Sequence, residues 1–129
     1  MSAPAVDRDA LIALLDGDPD LIMMIIDSFL NDCPDYMVAI RGAVEEKDAE
    51  RLTREAHSLK GAAGSLRAEP AREAAQALEE MGRSDDFTEA EAALETLEDE
   101  IGRLKTALRA LREECREELG NGGPAPPQG

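Results

Sequence analysis

The sequence predicts an all-α protein, and three observations carry this prediction. Apolar residues make up 43% of the 129 residues but aromatic residues only 2%, so the core has to be built from aliphatic side chains. Helix-favouring Ala, Leu, Glu and Arg dominate the composition, whereas residues typical of strands are sparse. Apolar residues also recur every three or four positions, as they do on one face of a helix. A chain of this length is expected to form one domain.

Two helices are predicted in the first third of the chain. The first runs from about Asp7, whose side chain can cap it, to Leu15. The sequence DGDPD then interrupts the helix, and Asp18 caps a second helix that has Pro19 in its first turn, where proline is tolerated. Pro34 either kinks the second helix or separates it from a further helical segment, because proline lacks the amide hydrogen that a helix uses.

A third helix is predicted from near Asp48 to about Leu66, and a fourth opens at Pro70 and ends near the sequence MGRSDD. In both helices small and apolar residues recur at intervals of three and four, so each presents one face to a common core. The residues predicted to face the core are Ala49, Leu52, Ala56, Leu59, Ala63 and Leu66 in the third helix, and Ala74, Ala75, Leu78 and Met81 in the fourth.

A long last helix is predicted from near Phe87, with Asp86 or Thr88 as its cap, to Leu119. Its apolar residues alternate at spacings of three and four, which is the heptad pattern of a helix in a bundle. They are Leu94, Leu97, Ile101, Leu104, Leu108, Leu111 and Cys115.

This last helix is predicted to be longer than its neighbours. Its 33 residues would span about 50 Å, against about 30 Å for helices of about 20 residues. We therefore expect a helical domain of residues 1–119, with a core of residues 7–110 and a helix extension of residues 111–119. One interpretation is that this extension projects beyond the bundle and contacts a partner helix, as in a homodimer. The alternative is a bend near Gly102 that folds the excess back. Residues 120–129, rich in glycine and proline, are predicted to form a disordered tail.

The net charge of −15 limits the classes of partner. It argues against nucleic acid, whose phosphates require Lys and Arg, and against an anionic membrane surface. No apolar run approaches the roughly 20 residues of a membrane span, and the first residues lack the basic and apolar regions of a signal peptide. Cys33 and Cys115 fit no metal-site spacing, so they are expected to be buried free thiols in a reducing compartment. A cytoplasmic protein is predicted.

The sequence REAHSLKGAAGSLR, residues 54–67, contains the only histidine, His57. In a helix Lys60, Gly61 and Gly64 lie three, four and seven residues after it, so all four share one face. Each glycine costs roughly 1 kcal/mol relative to alanine in a helix interior. Either another helix packs closely there, or a partner has to approach the imidazole without obstruction. The lysine argues against tight internal packing, because a buried ammonium is costly.

The local charge around His57 is reversed. Residues 51–72 contain five basic and two acidic residues and carry +3, within a chain of −15. A basic segment around a nucleophilic imidazole suits a group that becomes anionic, and a phosphoryl group brings about two negative charges. The alternative is that His57 is an ordinary surface residue without chemistry, as most lone helical histidines are.

The sequence AHSLKGAAGSL resembles the signature of histidine-containing phosphotransfer (HPt) domains of two-component phosphorelays. That signature couples His, an apolar residue, Lys and Gly at fixed offsets, with Gly or Ala seven residues after the His. The resemblance covers residues 7–110 and extends over the longer sequence DAERLTREAHSLKGAAGSL. It implies an antiparallel four-helix bundle with a short N-terminal helix, and here with a long C-terminal helix. The histidine would be exposed midway along the second helix of the bundle.

The resemblance also implies roles for the residues of the motif. His57 would accept the phosphoryl group through Nε2, and Lys60 would stabilise the phosphoryl oxygens. Gly61 and Gly64 would leave room for a receiver domain to dock. Apolar contacts to that receiver are expected from a few side chains of the first two helices. The candidates for these contacts are Ile12, Leu14 and Met23.

Further residues are supporting candidates. In the family the fourth helix often offers a polar side chain that orients the imidazole, and Glu79 and Arg83 lie near the matching positions, with Gln76 as a weaker substitute. Arg54 is a further basic neighbour of the histidine. Arg67 stands where the family commonly has glycine, so it either adopts a non-helical, strained backbone or adds a cation that faces the phosphate.

The function implied is that of a phosphorelay intermediate, which receives a phosphoryl group from a receiver-domain aspartate and passes it to another receiver. The partners would be receiver domains of response regulators or of hybrid histidine kinases, and those receivers would bring Mg²⁺. The sequence has no glycine-rich phosphate loop and no carboxylate cluster for a metal, so a carrier without ATP binding or autokinase activity is expected.

Two alternatives remain at this stage. One is a non-catalytic helical adaptor that dimerises through the last helix. The other is the phosphotransfer domain of a chemotaxis-type kinase, which would receive its phosphoryl group from a kinase domain and ATP.

Overall fold

The computed structural model describes residues 3–122 of the chain. Over this range it has helices and connecting turns but no strand, so the all-α prediction is confirmed. A short π-helical turn, Glu118–Gly122, follows the last helix. None of these helices combines the length and the apolar character that a membrane span requires. The helices are α1 (Arg8–Leu14), α2 (Pro19–Glu46), α3 (Ala49–Ser65), α4 (Glu69–Ser84) and α5 (Ala90–Glu117).

The four long helices pack as an antiparallel bundle. Helix α2 contacts α3 and α5, and α4 contacts the same two helices from the other side. Asp27 forms an ion pair with Arg112, and Arg41 with Glu98, so α2 and α5 run in opposite directions. Turns of two to five residues join the other neighbours. Such short turns make consecutive helices of a bundle antiparallel.

The core follows the predicted apolar spacing. In α5 every residue of the heptad pattern from Leu97 to Cys115 is buried, and Leu94 is partly buried. The thiols of Cys33 and Cys115 are free and buried, as predicted. Half of the buried residues of α3 and α4 are alanines, whose small side chains allow helices to approach closely. These alanines are Ala56, Ala63, Ala71, Ala74 and Ala75.

The N-terminal boundaries of three helices agree with the prediction, which named Asp7 and Asp18 as caps and placed the third start near Asp48. Asp7, Asp18 and Asp48 each precede a helix, and their carboxylates accept hydrogen bonds from amides of the first turn. These contacts satisfy donors that would otherwise lack a partner at a helix N-terminus. The start predicted for α5 at Phe87 is wrong, because the side chain of Asp86 accepts from the Thr88 amide in the preceding turn and the helix begins three residues later.

Helix α2 is continuous through Pro34, so the alternative of a separate segment after this proline is wrong. Pro34 is exposed, and its missing amide removes one hydrogen bond of the helix while the buried face on either side stays intact. As a result α2 has 28 residues, the same number as α5, and both span about 42 Å.

The predicted free extension from residue 111 is wrong as far as Cys115. Leu111 and Cys115 are buried in the bundle, and Arg112 between them pairs with α2. The equal length of α2 supplies the surface that covers this part of α5, and α5 runs through Gly102 as one helix. Residues 120–122 belong to the π-helical turn, and the rest of the predicted tail lies outside the described residues.

The turn after α3 fixes the position of α1. Arg67 has a left-handed backbone with φ of 58°, which confirms the predicted non-helical conformation. The amides of Arg67 and Ala68 donate to the carbonyls of Gly64 and Ala63, so the last carbonyls of α3 are satisfied. The Arg67 carbonyl then accepts a hydrogen bond of 2.8 Å from the Asp7 amide, which attaches the start of α1 to this end of the bundle.

Candidate functional site

His57 lies midway along α3 and points away from the core. Its side chain is 62% exposed, whereas Ala56 and Leu59 of the same helix are fully buried. Nδ1 of the imidazole lies 2.8 Å from Oε2 of Glu79. An ionised carboxylate only accepts hydrogen bonds, so Nδ1 carries the proton and donates it. In the neutral ring the lone pair is therefore on Nε2.

Glu79 of α4 is the only fully buried charged residue in the described part of the chain, and three basic side chains surround its carboxylate. Besides His57, Arg83 lies 2.5 Å from Oε2 and Nζ of Lys60 lies 2.8 Å from Oε1. Oε1 has no hydrogen bond of good geometry, so its contact with Lys60 is an ion pair at an unfavourable angle.

The Glu79 carboxylate is ionised because the surrounding charges outweigh the effect of its burial. Burial is the largest single influence and raises its pKa, but the close contact of the Lys60 ammonium, the hydrogen bond from His57 and the charge of Arg83 together lower the pKa by more. The net pKa of Glu79 is below its usual value. A buried anion that keeps its charge requires such partners.

Close packing of α3 on α4 brings Glu79 to His57. A Cβ atom added to Gly82 would lie 2.5 Å from Oγ1 and 2.8 Å from the amide nitrogen of Thr53, and 2.9 Å from the Ala49 carbonyl. These distances are shorter than van der Waals contact, so only glycine fits here. This contact at Gly82 was not predicted, because the sequence alone gives no signal for it.

The two glycines that follow His57 have open surroundings. A Cβ atom added to Gly61 would meet nothing within 4 Å, and one added to Gly64 would make an ordinary contact of 3.5 Å with Cδ of Arg72. Close packing by another helix of the same chain is therefore wrong as an explanation for these glycines. The second explanation, access for a partner, remains.

The other candidate residues differ in how close they lie to His57. Arg54, one turn earlier on α3, is 63% exposed and lies 3.5 Å from Glu55. Gln76 bonds with Arg72 and Glu80 rather than with the imidazole. Arg67 follows the end of α3, so about 12 Å of helix separates His57 from the last residue before this turn. Arg67 is therefore not an immediate helical neighbour of His57, and a role for its cation toward the phosphate stays a prediction.

An apolar groove between α2 and α3 begins about one turn beyond His57. It encloses about 160 Å³, with Ile25, Phe29 and Tyr36 of α2 on one wall and Ala62 of α3 and Leu66, directly after α3, on the other. The groove was not predicted, because its walls are residues that helical spacing assigns to the core.

Exposed apolar side chains lie at the end of α1 and in the first turns of α2. Leu14, Leu21 and Met24 are 50%, 42% and 63% exposed. Of the three side chains predicted to offer apolar contact, Leu14 is exposed, whereas Ile12 and Met23 are partly buried against the core.

Known proteins match this chain in sequence and in fold. Residues 24–114 match the Hpt domain family. The phosphorelay intermediate protein rdeA of Dictyostelium discoideum is 20% identical over 117 residues, which are 91% of this chain but 46% of that protein. The chain thus spans about half the length of this relative.

A solved structure with the same arrangement is that of histidine-containing phosphotransfer protein B (HptB) from Pseudomonas aeruginosa PAO1. It superposes with a TM-score of 0.81 and 26% sequence identity, and the match covers 88% of this chain and 98% of that one.

Proposed function

The chain belongs to the Hpt domain family, and we propose that it is a phosphorelay intermediate that accepts a phosphoryl group on Nε2 of His57 from a receiver-domain aspartate. It then passes the group to the aspartate of another receiver. The observation that carries this proposal is the state of the only histidine: an exposed imidazole whose Nδ1 donates to the buried carboxylate of Glu79. That hydrogen bond leaves Nε2 as the nucleophile.

In the proposed step the Nε2 lone pair attacks the phosphorus of an aspartyl phosphate in line with the bond that breaks. The new N–P bond forms as the P–O bond to the aspartate breaks, and the aspartate leaves as a carboxylate. The ammonium of Lys60, one turn along α3, compensates the negative charge spread over the phosphoryl oxygens. Mg²⁺ bound to the partner receiver would neutralise the same charge from the other side.

The surface around His57 fits a receiver in both charge and shape. The exposed side chains of Arg54 and Arg83 flank the histidine, in a segment of reversed charge, and suit a partner that presents aspartate and phosphate. Gly61 leaves the space beside the imidazole open. The groove of Ile25 and Phe29 and the exposed residues at the end of α1 supply apolar area for the docked partner.

Two further points of the proposal concern the setting of the reaction. Free, buried Cys33 and Cys115 suit a reducing compartment, and we propose that the relay operates in the cytoplasm. In this scheme the chain acts as a carrier. It needs no cofactor of its own, either to bind a receiver or to transfer the phosphoryl group.

The adaptor hypothesis lacks a comparable observation. The heptad residues of α5 through Cys115 are buried in the chain's own core, and only Leu119 near the end of the helix is an exposed large apolar residue there. Solution mass measurements on the full chain and on Leu119→Lys test dimerisation. A monomer in both cases contradicts the adaptor hypothesis, whereas a dimer lost in the variant supports it.

Phosphoryl transfer tests the proposal directly. The full chain is incubated with phosphorylated receivers or hybrid kinases from the same organism and examined for an acid-labile, alkali-stable label. His57→Gln, checked for helicity by circular dichroism, should remain unlabelled. Equal labelling of this variant and the wild type would refute the proposal. Labelling by a kinase domain with ATP, but by no receiver, would support the chemotaxis-type alternative instead.

A further inference from the structure

We propose that Glu79 keeps the proton on Nδ1 of His57 after phosphorylation, so that the phosphohistidine is held in its protonated, easily transferred form. This inference rests on the proposed function and deepens it. It makes Glu79 a positioning residue that also sets how long the chain retains a phosphoryl group.

The first argument is the balance of protons in the transfer. The form of the imidazole that can attack has a proton on Nδ1 and a lone pair on Nε2, so the reacting ring is neutral. When Nε2 bonds to phosphorus no proton leaves, so the ring acquires one positive charge while the phosphoryl group carries two negative charges. A positive ring in water gives up its Nδ1 proton readily, and a neutral phosphoimidazole is a poorer donor, because its leaving group would be an anion.

The second argument is the position of the carboxylate. Oε2 of Glu79 lies 2.8 Å from Nδ1, and the carboxylate is completely buried. A negative charge at hydrogen-bond distance favours the protonated ring, and shielding from water strengthens that effect. The carboxylate thus opposes loss of the Nδ1 proton from the phosphorylated ring.

The third argument is the charge of the whole cluster. Lys60 and Arg83 are the other charged groups in contact with the carboxylate, and Arg54, one turn before His57, is paired with Glu55. With Glu79 ionised, the cluster of His57, Lys60, Glu79 and Arg83 carries +1 before transfer. It becomes neutral once a dianionic phosphoryl group and a protonated ring are added, so the phosphorylated state is balanced only if the proton stays.

An amide at this position would orient the imidazole equally well, because its oxygen also accepts from Nδ1. It would not supply the charge that retains the proton. The carboxylate therefore implies a carrier that passes its phosphoryl group on quickly, in either direction, without exchanging a proton with solvent.

Glu79→Gln separates the two roles. The variant and the wild type are phosphorylated on His57 with phosphoramidate, a small donor that requires no docking, and the lifetime of the label is followed between about pH 6 and pH 9. The wild-type lifetime should stay nearly constant. The lifetime of the variant should rise with pH, exceed that of the wild type several-fold at about pH 8, and converge with it at the acid end.

The matched control is Glu80→Gln, which removes the neighbouring carboxylate of α4. Glu80 is exposed and accepts from Gln76 rather than from His57. This variant should follow the wild type throughout. Equal lifetimes of Glu79→Gln and wild type at every pH would overturn the inference, and so would a Glu80→Gln lifetime as long as that of Glu79→Gln.

Nuclear magnetic resonance of ¹⁵N-labelled histidine in the phosphorylated wild type reads the proton itself, so the test does not depend on folding of the variant. Nδ1 should remain protonated to at least about pH 8. Loss of that proton near neutrality would overturn the inference. Failure of this inference leaves a labelled His57 that transfers to receivers, whereas failure of the proposed function leaves a chain that no phosphorylated receiver labels.

Discussion

The glycines of α3 and α4 occupy two opposite environments. Gly82 lies where α4 meets α3. A Cβ atom at this position would overlap Thr53, so the close contact requires a glycine. Gly61, one turn beyond His57, faces open space in which a Cβ would touch nothing. The first glycine serves the internal contact that brings Glu79 to the imidazole, and the second leaves the exposed side of the imidazole accessible. A residue type that weakens a helix can therefore serve packing or docking, and only its neighbours distinguish the two.

Gly82→Ala should give the largest change in stability. The added methyl group would overlap Thr53 and the Ala49 carbonyl, so we expect a loss of about 1–3 kcal/mol in the free energy of unfolding. Urea denaturation of the full chain measures it. Gly102→Ala is the control, because Gly102 lies inside α5 with no atom near its missing Cβ. Gly102→Ala should raise the free energy of unfolding by up to about 1 kcal/mol. Equal losses of stability in Gly82→Ala and Gly102→Ala would contradict the close contact argued for Gly82.

Lys60→Ala tests a residue that contacts both regions, the buried Glu79 carboxylate and the exposed surface beside His57. Its ammonium pairs with buried Glu79, and the Lys60 side chain is still 25% exposed. We expect transfer from a phosphorylated receiver to slow by about tenfold, because charge compensation of the phosphoryl oxygens is lost. The fold should persist, since Arg83 and His57 still contact the carboxylate. An unchanged rate in a folded variant would remove the role proposed for Lys60.

Gly61 substitutions test whether the open face serves a partner. Gly61→Ala should raise the free energy of unfolding by up to about 1 kcal/mol, because the helix gains propensity and nothing is displaced. Gly61→Gln should keep that stability but slow transfer from a receiver, while labelling by phosphoramidate stays at the wild-type rate. Receiver transfer at the wild-type rate in the glutamine variant would mean that the opening is not needed for docking.

The pH dependence of the free energy of unfolding should show the smallest effect, which arises from the buried Glu79 carboxylate. The pKa of Glu79 is lowered in the folded state, so the unfolded chain binds more protons as pH falls. The stabilisation from ionised Glu79 is fully present above its unfolded pKa of about 4.3 and is lost as pH falls through the folded value. The stability difference between wild type and Glu79→Gln should therefore be larger at neutral pH than in acid. A difference independent of pH would show that the carboxylate contributes through shape alone.

Several features could be predicted from local sequence because they depend on short-range physics. Asp7, Asp18 and Asp48 cap helices through amides two or three residues away. His57 and Lys60 share a face because the helical repeat places them there. The left-handed backbone of Arg67 could also be anticipated, since helices commonly end in that conformation.

Other features could not be predicted, because they depend on neighbours distant in sequence. The cost of Pro34 is outweighed by the packing on either side of it, so α2 continues and covers the end of α5. Sequence reasoning proposed Glu79 and Arg83 together as candidates near the imidazole. The choice of Glu79 as the partner of Nδ1 follows from how closely α4 crosses α3.

The sequence by itself determined the all-α class, most helix boundaries, the core-facing residues and the face that carries His57, because helical periodicity and capping act within a few residues. Tertiary structure alone decided that a carboxylate 22 residues away would be buried against the imidazole. It also decided that Gly61 would be open and Gly82 closed, because burial and free space are properties of packed neighbours rather than of the residues themselves.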